Sequence, residues 1–197
     1  MKTIGTSKIM YLFYRNTDKS FHLREIARRT GLNENSASRF LNQLEKEGFL
    51  TSRKDANLKK YSSKKNLKTF ALFTLFDVER LSMLPSIRKN AIACFLDKLT
   101  EKPVIAFLFG STAKGTYTED SDIDLLLITN KKMDTGNAER YAESQTAIRI
   151  NVFQMTFLDF KTELRMKQDY VVQSALNTGY PITNHVFFYE VYYNEAV

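Results

Sequence analysis

The sequence predicts an α+β protein of two domains: an N-terminal helical domain with a small hairpin, and a C-terminal small mixed sheet with flanking helices. The charge divides the chain, because residues 1–68 carry sixteen Lys and Arg against six Asp and Glu, a net charge of +10. Residues 69–197 carry thirteen against sixteen, a net charge of −3. Helical periodicity dominates the first part, whereas short apolar runs near 104–109 and 122–128 predict buried strands in the second.

The composition limits the class of protein. A chain of 197 residues with 43% apolar residues can form one or two packed domains. Cys94 is the only cysteine, so an internal disulfide is excluded, which is typical of a reducing cytoplasm. No apolar run approaches the ~18 residues of a membrane span. We therefore expect a cytoplasmic protein without a membrane partner.

The first 65 residues predict three helices followed by a hairpin. Helices are expected at 7–14, 22–30 and 33–47, with Gly31 at the turn before the third. In the third helix, the apolar residues fall at i, i+3, i+4 and i+7, which predicts one buried face. They are Ala37, Phe40, Leu41 and Leu44. The hairpin is expected between residues 49 and 62.

The opposite face of the third helix is polar and basic, and the hairpin is rich in lysine. This order resembles a winged helix-turn-helix, in which the second helix of the motif enters the major groove of double-stranded DNA. The alternative is an ordinary solvated surface. The DNA interpretation assigns base and groove contacts to Asn35, Ser36, Arg39 and Gln43, and phosphate contacts to Arg53, Lys59 and Lys60.

Residues 66–84 predict a linking helix that is apolar almost all round and therefore buried. It packs between domains or forms a dimer seam; the seam is favoured, since such DNA-binding modules work as two-fold pairs. Residues 85–197 form the second domain. Its helix at 86–100 has Ile87, Ala91, Phe95 and Leu99 on one face. A single amphipathic segment is expected at 160–178, and a helix or an edge strand near the end of the chain.

Small residues follow the end of the first predicted strand, and two acidic residues lie at the start of the second. Gly110 and Ser111 end the first strand before a short helix, a context that suits phosphate, and Lys114 adds positive charge. Asp122 and Asp124 begin the second strand, where side chains at i and i+2 point the same way with Cα atoms roughly 6.6–7 Å apart. Two such carboxylates repel each other without a cation. Mg²⁺ takes carboxylates together with substrate phosphates.

The segment GSTAKG at 110–115 followed by SDIDL at 121–125 resembles the signature of DNA polymerase β-like nucleotidyltransferases. It is closest to their minimal branch, whose motif reads Gly-Ser-x-Ala-Arg/Lys-Gly and then Ser-Asp-x-Asp-Leu. The resemblance implies that the Gly-Ser turn holds a nucleoside triphosphate, expected to be ATP, and that the aspartates hold Mg²⁺. It also implies a third carboxylate on the next strand. A turn beside a solvated acidic loop is the alternative.

Asn151 stands where the third carboxylate is expected, in a strand predicted at 147–156. Its carbonyl oxygen suits Mg²⁺, but an uncharged amide cannot act as a general base. Glu143 precedes this strand and Asp159 follows it. Either could supply the third carboxylate only if the strand has a register different from the one predicted here. Nucleotide binding is therefore favoured over turnover.

Two functions compete. In the first, the protein is a DNA-binding transcriptional regulator of antitoxin type, a homodimer that binds a magnesium nucleotide and pairs with a small helical toxin-like protein. In the second, it is an active nucleotidyltransferase that transfers AMP to a hydroxyl of a partner protein. The toxin partner and the protein substrate are implied by the resemblance, whereas the DNA-binding segment and Asn151 favour the first function.

Overall fold

The computed structural model describes residues 4–195. The chain divides into two compact units between Phe76 and Asp77. This boundary lies inside the helix Leu67–Ser82. No helix within residues 4–195 is long and apolar enough to cross a membrane.

The first unit consists of helices and a small antiparallel sheet. Its elements are α1 (Ile4–Tyr14), β1 (Phe21–His22), α2 (Leu23–Thr30), α3 (Glu34–Lys46), β2 (Leu50–Asp55), β3 (Leu58–Ser63) and the first part of α4 (Leu67–Ser82). The strand order is β1-β3-β2. β2 and β3 form the predicted hairpin, in which Arg53 lies opposite Lys60 and Lys54 opposite Lys59.

The core of this unit lies where α1, α2 and α3 meet. Ile9, Phe13, Ile26, Leu41 and Leu44 are fully buried there. Burial of each such side chain contributes roughly 1.5–3 kcal/mol. These contacts fix α3 on the other two helices, so that its polar face is left to solvent.

The second unit contains a mixed sheet with helices around it. Its elements are the end of α4, α5 (Ser86–Lys98), β4 (Ile105–Phe109), α6 (Gly110–Lys114), β5 (Ile123–Thr129), α7 (Gly136–Thr146), β6 (Ile150–Thr156), α8 (Phe157–Met166), α9 (Tyr170–Thr178), β7 (Tyr180–Pro181) and α10 (His185–Glu195). The strand order is β6-β5-β4-β7, with β5 parallel to β6 and antiparallel to β4. The predicted α+β fold class is confirmed.

One face of this sheet packs on α5 and α7. Its core cluster includes Leu108 and Leu125 from the sheet, Phe95 from α5, and Ala138 and Ala142 from α7. The small alanines let α7 lie close to the strands. The cluster holds β4 and β5 rigidly, and the residues at their ends carry the candidate site.

Several predictions about these elements are wrong. Residues 160–178 are not one segment: α8 ends at Met166, and Lys167, which follows it, has a left-handed φ of 55°. A new helix begins at Asp169, whose side chain accepts from the Val172 N–H. Asp122 precedes β5 instead of beginning it. β1 and β7, of two residues each, have no counterpart in the prediction, because their pairing depends on distant parts of the chain.

The buried faces of two helices also differ from the prediction. α4 is not buried all round, because Leu67, Leu75 and Val78 are between 48% and 63% exposed. In α5, Ile87 is exposed and Arg88 takes its place on the buried face. The chain end, predicted as a helix or an edge strand, is the helix α10.

Candidate functional site

Gly110 and Asp124 lie against each other at the end of the β4–β5 pair. Asp124 is the register partner of Phe109, so its carboxylate lies beside the turn that follows β4. Gly110 has φ +70°, and a Cβ atom built on it would lie 2.0 Å from Oδ2 of Asp124. No side chain fits there. Glycine is therefore required both by the backbone conformation and by the carboxylate in front of it.

Asn151 forms hydrogen bonds to the carboxylates of both Asp122 and Asp124. The parallel register places Asn151 directly beside Asp124, on the strand predicted to carry the third polar residue. Its Nδ2 donates to Oδ2 of Asp122 at 3.1 Å and to Oδ1 of Asp124 at 3.3 Å. The two carboxylates and the amide therefore converge at one point, in front of Gly110.

The donor chemistry of this point fits Mg²⁺. The cation prefers oxygen ligands and usually takes one or two carboxylates with substrate phosphates. Asp122 and Asp124 supply the carboxylates, and Oδ1 of Asn151 can supply a neutral oxygen. Within residues 4–195, no group of three or more His, Cys, Asp or Glu side chains is placed to hold a metal.

The two carboxylates nearest in sequence to β6 have other contacts. Glu143 lies on α7, 4.0 Å from Nε of Arg149. Asp159 accepts a hydrogen bond from Thr156 Oγ1 at 2.6 Å, at the start of α8. The observed register leaves Asn151, and neither of these acids, beside Asp124.

The remaining residues of the predicted nucleotide site lie on α6. Ser111 is half-buried next to Gly110, whereas Lys114 ends this short helix and is exposed to solvent. Lys114 thus places a positive charge in solvent at the end of α6.

A cavity of about 500 Å³ opens beside Asn151, along the edge strand β6. Its lining includes Arg140 from α7, Arg149 directly before β6, and Phe153 from β6. The Phe153 ring is 41% exposed and packs edge-on against Phe109, with centroids 5.7 Å apart. This cavity was not predicted from the sequence, because it depends on how α7 packs against β6.

Arg88 is a residue of this site that sequence reasoning missed. It is only 2% exposed, and its guanidinium donates to the Thr112 hydroxyl and to the carbonyls of Thr118 and Ser121. A signal was present, since Arg88 precedes the buried Ala91 and Ile92 by three and four residues. A basic residue at such a position is ordinarily assigned to the surface.

The candidate DNA-contacting face of α3 is exposed in its central part. Asn35 and Arg39 are exposed, whereas Ser36 and Gln43 are half-buried. The backbone N–H of Ser36 is capped by the Asn33 side chain at 2.8 Å, which leaves its hydroxyl for a partner. Arg39 lies over the Phe40 ring, 4.9 Å from its centroid, and Gln43 donates to Glu47.

Two lysines of the hairpin, Lys59 and Lys60, are already paired with carboxylates. Lys59 contacts Glu45 of α3 at 2.8 Å, and Lys60 contacts Asp55 at 2.7 Å. The hydrogen bond from Lys59, followed by that from Ser52, holds the pKa of Glu45 below its ordinary value. Lys59 therefore fastens the hairpin to α3, a role that the sequence did not indicate. Arg53 is exposed on the same hairpin.

Comparison with known proteins accounts for both sites. Residues 88–179 match the nucleotidyltransferase domain family, and residues 11–54 match the IclR helix-turn-helix domain family. The chain joins a helix-turn-helix domain to a nucleotidyltransferase domain. The predicted resemblance is thus confirmed. The nucleotidyltransferase match begins at Arg88, and contains Gly110, both aspartates and Asn151.

Other comparisons add little. The chain has no match among the curated proteins. Among solved structures it resembles a chain in the crystal structure of Pseudomonas aeruginosa HmgR, with 19% identity and a TM-score of 0.29. The likeness covers 55% of this chain and only 41% of that one. A TM-score this low carries no argument about fold or function.

Proposed function

We propose that the protein is a DNA-binding transcriptional regulator whose nucleotidyltransferase domain binds a magnesium nucleoside triphosphate, with ATP as the first nucleotide to test. One observation carries the nucleotide part of the proposal. Two carboxylates and an amide converge in front of a glycine that leaves no room for a side chain. This arrangement offers oxygen ligands next to open backbone.

Each residue of this group has a distinct task in the proposal. Asp122 and Asp124 hold Mg²⁺, together with Oδ1 of Asn151 once its amide has rotated to turn Oδ1 instead of Nδ2 toward them, while Gly110 and Ser111 face the triphosphate. When bound, Mg²⁺ neutralises phosphate charge and polarises a phosphoryl oxygen. Lys114 adds a positive charge at the end of α6. Asn151 cannot take a proton from an attacking hydroxyl, so the site as it stands favours binding over transfer.

Isothermal titration with ATP and Mg²⁺ tests this site. The double variant Asp122→Asn/Asp124→Asn loses both negative ligands with little change in side-chain volume, and should show no Mg²⁺-dependent ATP binding. The matched control is Asp120→Asn, which removes an exposed carboxylate from the same loop and should bind like the wild type. Equal binding by the wild type and the double variant would show that the motif holds no nucleotide.

The DNA part of the proposal rests on the exposed face of α3 and on the net charge of +10 over residues 1–68. Arg39 is placed to read guanine, because its guanidinium can donate two hydrogen bonds to one base. Asn35 and Ser36 lie one turn earlier on the same face. Arg53 is the hairpin residue best placed for phosphate, since Lys59 and Lys60 already have carboxylate partners.

Salt dependence of DNA affinity tests this part. With a duplex from upstream of the coding sequence, log affinity should fall against log salt with a slope of about −0.9 per neutralised phosphate. Arg53→Ala should reduce that slope by about 1, whereas Arg39→Ala should mainly relax sequence choice. Affinity that stays constant from low to moderate salt would contradict DNA binding through this surface.

A second candidate function is an active nucleotidyltransferase that moves AMP from ATP to a hydroxyl of a partner protein. The intact Gly110-Ser111 turn and the paired aspartates favour it. Incubation with α-labelled ATP and Mg²⁺, alone and with cell lysate, separates the two functions: label on a protein shows turnover despite Asn151. Asn151→Asp restores a carboxylate and should then increase the labelling.

The antitoxin role is the finer part of the proposal. It is supported by the motif resemblance, since minimal nucleotidyltransferases often pair with a small helical toxin. It predicts a neighbouring open reading frame for such a protein and a stable complex on co-expression. Co-purification of the two products tests it, and a neighbouring product that elutes alone would contradict it.

A further inference from the structure

The two aspartates of the site are held by different means. Asp124 belongs to β5 and is fixed on both sides by its register partners, Phe109 and Asn151. Asp122 lies before the first residue of β5 and has no ladder partner of its own. Its carboxylate therefore depends on the loop of residues 115–122 that joins α6 to the strand.

This loop is closed by local hydrogen bonds. The Ser121 N–H donates to the Thr118 carbonyl at 3.2 Å, and the Thr118 N–H donates to Ser121 Oγ at 2.9 Å. These bonds shape a turn that ends directly before Asp122. They do not by themselves attach the turn to the rest of the domain.

The attachment is made by the buried guanidinium of Arg88. Nη2 donates to the carbonyls of Thr118 and Ser121 at 2.9 and 2.8 Å, so one nitrogen spans both ends of the turn. Nη1 donates to the Thr112 hydroxyl at 3.0 Å, and that hydroxyl lies 3.4 Å from the Asp122 carbonyl. The Tyr117 ring lies over the guanidinium, 4.2 Å away.

The chemistry of these contacts points beyond simple packing. A buried charge ordinarily has a charged partner, yet the guanidinium of Arg88 contacts a hydroxyl, two carbonyls and an aromatic face. All four partners lie between the Gly-Ser turn and Asp122. The guanidinium fork thus links the phosphate-facing and the metal-facing halves of the site.

We infer that Arg88 is a positioning residue that sets Asp122 beside Asp124 for the metal–nucleotide complex. The inference rests on the nucleotide binding proposed above. Arg88 does not touch the ligand in this account; it acts through the backbone of the 118–121 turn. Partners that orient metal ligands in this way typically change metal affinity by about 10–100-fold when removed.

Mn²⁺ binding in the presence of ATP, followed by the electron paramagnetic resonance of free Mn²⁺, tests this inference. Arg88→Lys keeps the positive charge but loses the planar fork, in which Nη2 holds the two carbonyls while Nη1 holds the Thr112 hydroxyl. The Mn²⁺ concentration for half-saturation should rise by about 10–100-fold. The thermal midpoint should fall as well, because the two carbonyls lose their donor.

Arg80→Lys is the matched control. Arg80 donates to the carbonyls of Ala113, Thr178 and Gly179 and lies over the Tyr180 ring at 3.9 Å, so these contacts are with α6, the end of α9 and β7. The Arg80→Lys variant should have a lower thermal midpoint, while the Mn²⁺ concentration for half-saturation should stay at the wild-type value. A folded Arg88→Lys protein with wild-type half-saturation would overturn the inference. So would equal losses of Mn²⁺ affinity in both variants.

Two further outcomes are distinguishable. If Arg88→Lys does not fold, Thr112→Val decides, because it removes only the hydroxyl between Arg88 and the Asp122 backbone: a higher half-saturation supports the inference and an unchanged one overturns it. A wild type that binds no Mn²⁺–ATP would overturn the proposed nucleotide site, and the inference with it. If the wild type binds Mn²⁺–ATP and the Arg88→Lys and Thr112→Val variants bind it equally well, the role of Arg88 is overturned and the proposed nucleotide site stands.

Discussion

At the scale of single residues, Gly110 is the position where the site tolerates least change. Gly110→Ala should strain the backbone by roughly 1–2 kcal/mol at a positive φ and also push the Asp124 carboxylate away, since the added atom would lie 2.0 Å from Oδ2. We expect loss of Mg²⁺–ATP binding together with lower stability. Titration calorimetry and urea unfolding measure the two effects.

The control Gly115→Ala separates the effect of backbone strain from the effect of a steric clash with Asp124. Gly115 has φ +73°, nearly the same as Gly110, but a Cβ there meets no atom within 4 Å. It should lose a similar amount of stability and keep its affinity for Mg²⁺–ATP. If both variants bound ATP like the wild type, the contact between Gly110 and Asp124 would have no role in binding.

Residue roles were predictable from sequence only where local geometry decides them. The alternation of side chains predicted that Asp122 and Asp124 point the same way, and the resemblance to nucleotidyltransferases led us to expect the third polar residue at Asn151, which the parallel register places beside Asp124. The helical spacing placed Arg88 on the face of Ala91 and Ile92, but its role could not be predicted, because the carbonyl acceptors lie in a turn 30 residues away. The cavity beside Phe153 likewise arises from the packing of α7 against β6.

At the scale of elements, Glu45 couples α3 to the hairpin through Lys59 and Ser52. These hydrogen bonds lower the pKa of Glu45 from its ordinary 4.5. A depressed folded-state pKa means that the ionised carboxylate stabilises the fold above the unfolded pKa. That stability is lost as the pH falls through the folded value. Glu45→Gln should therefore be less stable at pH 7, and the difference should vanish in acid.

Urea unfolding of wild type and Glu45→Gln across this pH range measures the effect. The difference at pH 7 should be about 0.2–1 kcal/mol, since the pair is partly exposed and screened by solvent. Glu34→Gln is the control, because Glu34 lies 3.7 Å from Arg24 on an open surface and should change the stability at pH 7 less than Glu45→Gln does. A difference for Glu45→Gln that persists below the folded pKa would contradict an electrostatic origin.

Element boundaries show where periodicity is and is not informative. α3 follows its predicted span closely, because an Asn33 cap and one apolar stripe agree. Residues 160–178 carry a continuous amphipathic pattern, yet the helix breaks at Lys167, where the backbone enters the left-handed region before the Asp169 cap. Capping residues inside an apolar pattern therefore outweigh the periodicity.

At the scale of the whole molecule, the exposed side of α4 bears on assembly. Leu67, Ala71, Leu75 and Val78 are exposed at i, i+4, i+8 and i+11, so they form one stripe along the helix. Phe70, Phe73 and Phe76 of the same helix are buried. An apolar stripe of this kind fits a second copy of α4. A two-fold pair would also present two α3 helices to the half-sites of a DNA target.

The double variant Leu75→Lys/Val78→Lys tests the predicted dimer, because it would place four positive charges between the two copies of α4. Sedimentation equilibrium should show a dimer for the wild type and a monomer for the double variant. Affinity for a duplex with two half-sites should fall, while affinity for a single half-site stays unchanged. Leu158→Lys is the control, since Leu158 is 76% exposed on α8 and should leave the dimer intact. A wild type that sediments as a monomer, or a double variant that remains a dimer, would exclude α4 as the seam.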